Sequence, residues 1–188
     1  MISCEQASSD TAMSDATIRA RAVRLALFDV DGVLTDGRLF YGPAGEAMKV
    51  FNILDGHGLR MLARSGVATG LLSGRRSEAA AARAAELGMA HVILGVDDKL
   101  AHFERLRAEL GLEASQCSFM GDDLPDAPVL ARCGLAVAVA GAVPEVKALA
   151  HLVTRAGGGN GAVREFCEFV MRAQGTLADA AGRHGARS

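Results

Sequence analysis

Short apolar runs alternate with amphipathic stretches along most of the chain. Apolar runs of about four to eight residues that are bounded by glycine or polar residues are typical of strands buried on both faces of a sheet. Strands are therefore predicted at residues 23–30, 67–72, 91–94, 118–120, 135–139 and 152–154.

The stretches between these strands carry apolar residues at helical spacing. Helices are predicted at residues 57–64, 78–87, 99–110, 128–132, 144–149 and 163–174. Strands that alternate with helices favour the α/β class, with a parallel sheet and right-handed crossovers. Residues 37–52 interrupt this alternation, and the Gly-Pro-Ala-Gly sequence at their centre predicts a β-hairpin.

Composition limits the classes of function that are open to the chain. Of its 188 residues, 50% are hydrophobic and 22% are charged, which excludes a disordered chain and favours one folded domain. A formal net charge of -2 and an aromatic content of 4% argue against a nucleic acid or a membrane as partner. The four cysteines lie far apart without a C-x-x-C pair, which predicts reduced thiols in the cytoplasm.

The two ends of the chain differ from the rest in composition. Residues 1–21 are polar and small and lack the apolar segment of a secretory signal, so we expect a disordered leader there, or upstream sequence if Met13 is the true start. Residues 22–177 are predicted to form the folded domain, and residues 178–188 are predicted to form a mobile tail.

Two carboxylates follow the first predicted strand, in the sequence Asp29-Val30-Asp31-Gly32. Ligands of open parallel sheets bind beyond the carboxyl ends of the strands, so this strand brings both side chains to a site. Carboxylates this close repel each other unless a cation lies between them, and Mg2+ prefers oxygen ligands. Asp29 and Asp31 are therefore candidate magnesium ligands, with a helix cap and a turn residue as the structural alternative.

Three further acids, Asp122, Asp123 and Asp126, follow the fourth predicted strand. A metal shared with the first pair accounts for all three, whereas an acidic helix N-terminus accounts better for one than for three.

A third motif, Ser73-Gly74-Arg75, follows the second strand. A hydroxyl group and a glycine before a helix suit a bound phosphate, although the same sequence also forms ordinary turns. Lys99 stands near the start of a predicted helix, and as a lone lysine it is expected to be a solvated surface charge.

The order and placement of these four motifs resemble the haloacid dehalogenase-like (HAD) phosphohydrolase superfamily. The resemblance implies a three-layer Rossmann-like fold and a Mg2+-dependent phosphatase. It implies that Asp29 is the nucleophile and that Asp31 is the acid and base, while Ser73 and Lys99 hold the phosphoryl oxygens.

The same resemblance implies a metal site. Its ligands are the carboxylates of Asp29 and Asp122 and the backbone carbonyl of Asp31, with Asp123 and Asp126 supporting them. Superfamily members with mobile caps insert a domain after the first or second motif, but segments 32–72 and 74–98 leave no room for one. A capless enzyme is therefore expected, in which a neighbouring subunit excludes water from the site.

Within the superfamily, the sequences DVDGVLTDG, MKVFNILDGHGL, SGR, GDDLPD and GAVREF resemble the 3-deoxy-D-manno-octulosonate 8-phosphate phosphatase family, across about residues 25–175. That resemblance implies a cytoplasmic homotetramer that acts on a sugar-acid phosphate in lipopolysaccharide precursor synthesis. Lys49, Gly74 and Arg75 are the implied substrate contacts. The glycine-rich stretch at residues 157–161 is implied to reach a neighbour's site, but Asn160 stands where Arg or His is expected, and a flexible linker is the alternative.

Three alternative functional hypotheses compete with this one. A phosphatase of a nine-carbon acid 9-phosphate, of the acylneuraminate type, uses the same capless scaffold. A phosphoacceptor signalling domain also gathers Asp, a hydroxyl and Lys around Mg2+, but its acceptor Asp lies on the third strand, which here ends in Leu94-Gly95. A catalytically silent homologue is not favoured, because every motif residue is present.

Overall fold

Six parallel strands form the central sheet of the computed structural model, which describes residues 15–182. An antiparallel hairpin stands apart from this sheet. The strands are β1 (Leu25–Phe28), β2 (Phe40–Gly42), β3 (Gly45–Met48), β4 (Ala68–Ser73), β5 (His91–Leu94), β6 (Cys117–Gly121), β7 (Leu135–Ala138) and β8 (Leu152–Val153). Their order in the sheet is β5-β4-β1-β6-β7-β8, and β2 pairs with β3 in the hairpin.

Helices cover both faces of the sheet. They are α1 (residues 15–22), α2 (Ile53–Arg64), α3 (Glu78–Leu87), α4 (Lys99–Glu109), α5 (Ala127–Leu130), α6 (Pro144–Leu149), α7 (Ala162–Ala173) and α8 (Leu177–Gly182). Helix α2 packs against α3, α7 and α8, whereas α4 packs against α5, and α5 against α6. Right-handed crossovers place these two groups on opposite faces, which gives three layers.

The core lies between the sheet and its two helix layers. All four residues of β1 are fully buried, as expected for a central strand of a parallel sheet. Phe28 packs edge-to-face against Phe166 of α7, with ring centroids 5.6 Å apart. The predicted α/β class, the parallel sheet and the separate hairpin are confirmed.

Helix α2 begins at Ile53, four residues before the predicted start. The Asn52 side chain caps it by accepting the N–H groups of Leu54 at 2.8 Å and Asp55 at 3.4 Å. Ile53 and Leu54 are exposed, so the first turn lacks the apolar periodicity on which the prediction relied.

Residues 15–21, predicted to belong to a disordered leader, form most of α1 instead. Ala16 and Ala20 are fully buried, and Arg19 donates to the Gly134 carbonyl at 3.0 Å. Small alanine side chains allow this close packing without a conspicuous apolar pattern. The rest of the predicted leader, residues 1–14, lies outside the described residues.

The start of the predicted mobile tail is also helical. Residues 178–182 belong to α8, and Ala180 is buried. Residues 183–188 lie outside the described part of the chain. Within residues 15–182, no helix has the length and apolar character needed to cross a bilayer.

The direction of the chain across the sheet reverses at β1. From β1 the chain passes to β4 and β5 on one side, and it then returns to β6, β7 and β8 on the other side. Helices therefore leave the carboxyl ends of neighbouring strands toward opposite faces and open a crevice there. The candidate residues after β1, β4 and β6 meet at this crevice.

Candidate active site

Strand β1 brings Asp29 and Asp31 to its carboxyl end. The N–H of Asp29 donates to the Met120 carbonyl of β6 at 3.0 Å, so Asp29 extends the strand pairing. Gly32 follows with a φ of +87°, and a Cβ at this position would lie 2.0 Å from Asp122 Oδ2. Glycine at position 32 therefore lets the loop after β1 lie against the carboxylate that follows β6.

Three carboxylates meet at the ends of β1 and β6. One oxygen from each of Asp29, Asp122 and Asp126 lies within 4.8 Å of the other two. Asp126 is held in place because its Oδ2 accepts the Asp122 N–H at 2.9 Å, while its Oδ1 accepts Lys99 Nζ at 2.6 Å. Lys99 Nζ also lies 3.0 Å from Asp29 Oδ1. Lys99 is only 6% exposed, so the surface position that its sequence context alone favoured is wrong.

The electrostatics of this cluster reflect crowded negative charge. Burial, and then repulsion from Asp126, raises the pKa of Asp29 to about 6, against the opposing effect of Lys99. Burial, and then repulsion from Asp29 and Asp126, raises the pKa of Asp122 to about 7. Burial alone would lower the pKa of Lys99, but Asp29 and Asp126 outweigh it and hold that pKa above its ordinary value.

The cluster has the chemistry of a divalent-cation site. Three carboxylates face one ammonium group, which leaves two negative charges in excess when all are ionised. Asp122 Oδ1 is buried and accepts no hydrogen bond from the described residues, and buried Asp29 Oδ1 has Lys99 Nζ 3.0 Å away but accepts no hydrogen bond from any other described residue. Buried carboxylate oxygens without donors are costly unless a cation approaches them. The donor set is all oxygen, which fits Mg2+.

The phosphate motif lies beside this cluster. Strand β4 pairs with β1 so that Leu71 is opposite Phe28, and Ser73 therefore comes level with the chain between Asp29 and Asp31. Ser73 is 2% exposed, whereas Gly74 is exposed to solvent. The hydroxyl-bearing residue is thus next to the acidic cluster, and the glycine after it faces the open crevice.

Asp31 contacts two cations that come from different elements. Its Oδ1 accepts a short hydrogen bond from Lys49 Nζ, and its Oδ2 lies 3.4 Å from Arg75 Nε. Lys49 follows the hairpin, and its side chain is only 1% exposed. The cations predicted as substrate contacts therefore surround the carboxylate predicted to act as acid and base.

Glu46 of β3 joins these two cations. Its carboxylate lies 3.1 Å from Lys49 Nζ and 3.2 Å from Arg75 Nη2, and it accepts the Ser77 hydroxyl at 2.7 Å. The Ser77 hydrogen bond, and then the contact with Lys49, lowers the pKa of Glu46 against the effect of burial. Glu46 thereby links the hairpin to the start of α3.

A family model described as haloacid dehalogenase-like hydrolase matches residues 59–165, which is more than half of the chain. The chain belongs to this hydrolase family. The superfamily expected from the motif order is thus confirmed.

Individual members of the haloacid dehalogenase-like family resemble the chain over most of its length. The 3-deoxy-D-manno-octulosonate 8-phosphate phosphatase of Yersinia pestis is 44% identical over 168 residues, which cover 89% of this chain and 90% of the relative. A probable yrbi family phosphatase from Pseudomonas syringae superposes with a TM-score of 0.90 at 48% identity, covering 93% and 99% of the two chains.

A third relative was solved with ligands. It is the 3-deoxy-D-manno-octulosonate 8-phosphate phosphatase from Moraxella catarrhalis, in complex with magnesium ion, phosphate ion and a KDO molecule. It superposes with a TM-score of 0.89 at 37% identity, covering 92% of this chain and 99% of that one.

In the chain described here, two of the predicted acids, Asp123 and Asp126, have different surroundings. Asp126 stands inside the carboxylate cluster, whereas Asp123 is exposed and its Oδ1 accepts the Leu124 N–H at 2.8 Å. Sequence reasoning did not single out Glu46, although the Glu-x-x-Lys spacing within the predicted hairpin was visible. Nor did it single out Asp55, whose contacts lie more than 100 residues away along the chain.

Proposed function

We propose that this chain is a Mg2+-dependent phosphatase that hydrolyses 3-deoxy-D-manno-octulosonate 8-phosphate to the free sugar acid and inorganic phosphate. The observation that carries the proposal is the meeting of Asp29, Asp122 and Lys99 at the end of β1, where Asp31 follows Asp29 after one residue and contacts Lys49. The relatives of Yersinia pestis and Moraxella catarrhalis that carry this activity in their names support the choice of substrate.

In the first step, a carboxylate oxygen of Asp29 forms a bond to phosphorus while the bond from phosphorus to the sugar 8-oxygen breaks. The protonated Asp31 carboxyl gives its proton to that oxygen, so the sugar leaves as a neutral alcohol. Lys99, 3.0 Å from Asp29, offsets the charge that Asp29 and the phosphoryl oxygens bring together. In this proposal the Ser73 hydroxyl donates to a phosphoryl oxygen.

In the second step, water attacks phosphorus and gives a proton to the ionised Asp31. The bond from phosphorus to Asp29 breaks, which releases inorganic phosphate and restores both carboxyl groups. The carboxylates of Asp29 and Asp122 and the backbone carbonyl of Asp31 would hold Mg2+, which would neutralise charge on the phosphoryl group. In this proposal Lys49 and Arg75 contact the acidic sugar.

The test is phosphate release in Mg2+ from 3-deoxy-D-manno-octulosonate 8-phosphate and from N-acetylneuraminate 9-phosphate. We expect preference for the eight-carbon substrate, and loss of activity in Asp29→Asn by about a thousandfold or more. Asp179→Asn, at an exposed position on α8, is the control. Preference for the nine-carbon acid would assign the enzyme to that substrate, and full activity of Asp29→Asn would refute the nucleophile.

We also propose that the chain works as a homotetramer whose hairpins face one another. Large apolar side chains are exposed on and around the hairpin, at Leu39, Phe40, Tyr41, Met48 and Val50. Contiguous exposed apolar surface commonly marks an interface between proteins. Light scattering should give four times the chain mass for the parent and a smaller mass for Val50→Glu, with Val92→Glu on β5 as the control. A fully active parent monomer would contradict the proposal.

We place the reaction in the cytoplasm, as a step in lipopolysaccharide precursor synthesis. Cys117, Cys133 and Cys167 are buried free thiols, which suits a reducing compartment. Cell fractionation with detection of the protein tests this location.

A further inference from the structure

The glycine-rich stretch after β8 lies against the loop that carries Asp31 in the same chain. The Gly159 N–H donates to the Val33 carbonyl at 2.9 Å. A Cβ on Gly158 would lie 1.7 Å from the Gly32 carbonyl oxygen, and one on Gly159 would lie 2.6 Å from the Asp36 backbone nitrogen. The two backbones are therefore in direct contact and leave no room for a side chain between them. A flexible linker would not require glycine at these positions. We call residues 158–161 the glycine segment.

The glycine segment is anchored on its other side by helix α2. Asp55 is 1% exposed, and its Oδ2 accepts the Gly161 N–H at 3.2 Å while its Oδ1 accepts the Arg164 N–H at 2.7 Å. The Asn52 side chain donates to the Gly159 carbonyl at 3.2 Å. A buried carboxylate thus caps the start of α7 and fixes the segment relative to α2.

The loop that receives this contact is held by hydrogen bonds on its inner side. After β1 the chain turns tightly, and the Val30 carbonyl accepts the N–H groups of Val33, Leu34 and Thr35 at 3.0–3.3 Å. These bonds fix the inner side of the turn. On its outer side, the glycine segment packs against the Gly32 carbonyl and donates a hydrogen bond to the Val33 carbonyl. The Asp31 side chain projects from this turn.

We propose that the glycine segment, anchored by Asp55, is a positioning element that holds the loop of Asp31 so that the Asp31 carboxyl reaches the leaving oxygen of the substrate. The proposal rests on the proposed function, because it assigns a task to the acid of that reaction. This role requires no contact of the glycine segment or Asp55 with substrate or metal. They act through the backbone of Gly32 and Val33.

The leaving group gives a readout that separates positioning from loss of fold. A sugar alkoxide needs the proton of Asp31 to leave, whereas p-nitrophenolate is a stable anion and leaves without one. Both substrates share the second step, in which Asp31 takes a proton from water, so the comparison uses the first step, which a displaced Asp31 slows more for the sugar phosphate than for p-nitrophenyl phosphate. General destabilisation lowers the rates on both substrates by the same factor.

Gly158→Ala and Gly157→Ala form a matched pair for this test. A Cβ at Gly158 collides with the Gly32 carbonyl, whereas a Cβ at Gly157 meets nothing within 4 Å. In Mg2+ we expect Gly158→Ala to lower the single-turnover rate of sugar release from 3-deoxy-D-manno-octulosonate 8-phosphate by about 10- to 100-fold, because small misplacements of reacting groups have effects of this size. For the first-turnover burst of p-nitrophenolate from p-nitrophenyl phosphate we expect a loss of less than about threefold, and Gly157→Ala should match the parent on both substrates.

Asp55→Asn serves as the second variant, since it adds no bulk and keeps one acceptor oxygen. We expect the same selective loss with a smaller factor, and this variant decides the matter where Gly158→Ala does not fold. Equal loss on both substrates, or no loss in a folded variant, overturns the positioning role. A parent enzyme that releases no phosphate from the sugar phosphate refutes the proposed function instead, so the two failures are distinguishable.

Discussion

Removing the metal should make the stability of the protein fall as pH rises from 5 to 8. Burial and mutual repulsion raise the pKa values of Asp29 and Asp122 to about 6 and about 7. In this window the metal-free folded state keeps protons that the unfolded chain, with ordinary carboxyl pKa values, has already lost. Raising the pH forces these carboxylates to ionise inside the fold, and the metal-free protein loses stability. Mg2+ binds the ionised form, so it stabilises more at pH 8 than at pH 5.

The size of the effect follows from the raised pKa of Asp122. Between pH 5 and the raised pKa of about 7, the interval of about two pKa units corresponds to about 2.8 kcal/mol at about 1.4 kcal/mol for each unit. Asp122 is partly exposed and shares its repulsion with Asp29, so we count the pair once and halve the figure to about 1.4 kcal/mol. For a chain of this size, that difference shifts Tm by roughly 3–6 °C.

Thermal unfolding at pH 5 and pH 8, in EDTA and in Mg2+, measures this shift. Other groups also titrate in this range, so the quantity to compare is the difference between the parent and Asp122→Asn, which lacks the titrating carboxyl. We expect Mg2+ to raise the Tm of the parent more at pH 8 than at pH 5, and to have little effect on the variant. An equal Mg2+ effect at both pH values in the parent would refute the reasoning.

Three further changes test other contacts. Lys99→Met leaves two buried carboxylates without their cation, so we expect urea denaturation to show a free energy of unfolding lower by about 3 kcal/mol. We also expect this variant to release no phosphate. An unchanged free energy of unfolding would contradict the buried ion pairs. Glu46→Gln weakens the contacts that orient Lys49 and Arg75, so we expect KM for the sugar phosphate to rise about tenfold in steady-state kinetics. The exposed substitution Glu78→Gln should leave this KM unchanged. Gly88 ends α3 in the left-handed conformation with φ of +68°, so Gly88→Ala should lower the free energy of unfolding by about 1 kcal/mol relative to Gly141→Ala. At Gly141 the added Cβ meets nothing within 4 Å and φ is ordinary. Equal free energies of unfolding for the two variants would refute the backbone strain at Gly88.

The strands and most helices could be predicted because their signals are local. The apolar run at residues 91–94 and the Ser77 and Gly88 caps of α3 gave the observed bounds of β5 and α3. The early start of α2 escaped prediction because exposed Ile53 and Leu54 hide the helical period, and only the Asn52 cap announces it. Alanine packing in α1 leaves a similarly weak pattern.

The candidate site was predictable as far as strand ends determine it. Asp29 and Asp122 follow β1 and β6, and Ser73 is the last residue of the neighbouring β4, so the topology alone brings them together. The pairing of Asp31 with Lys49 depends on how the hairpin folds back, and no local pattern contains that geometry. Asp55 was missed for a similar reason, since its hydrogen-bond partners on α7 become neighbours only in the folded chain.

The side chains at the crevice belong to two different parts of the fold. The carboxylate cluster and Lys99 belong to the ends of sheet strands and the start of α4, where packing on both sides fixes the backbone. Glu46 and Lys49 belong to a hairpin and its exit, outside the central sheet. Insertions or substitutions in the hairpin can therefore change the leaving group that is accepted while the phosphoryl chemistry stays intact. Such a scaffold can diversify among acidic sugar phosphates by exchanging one short, separately folded piece of chain.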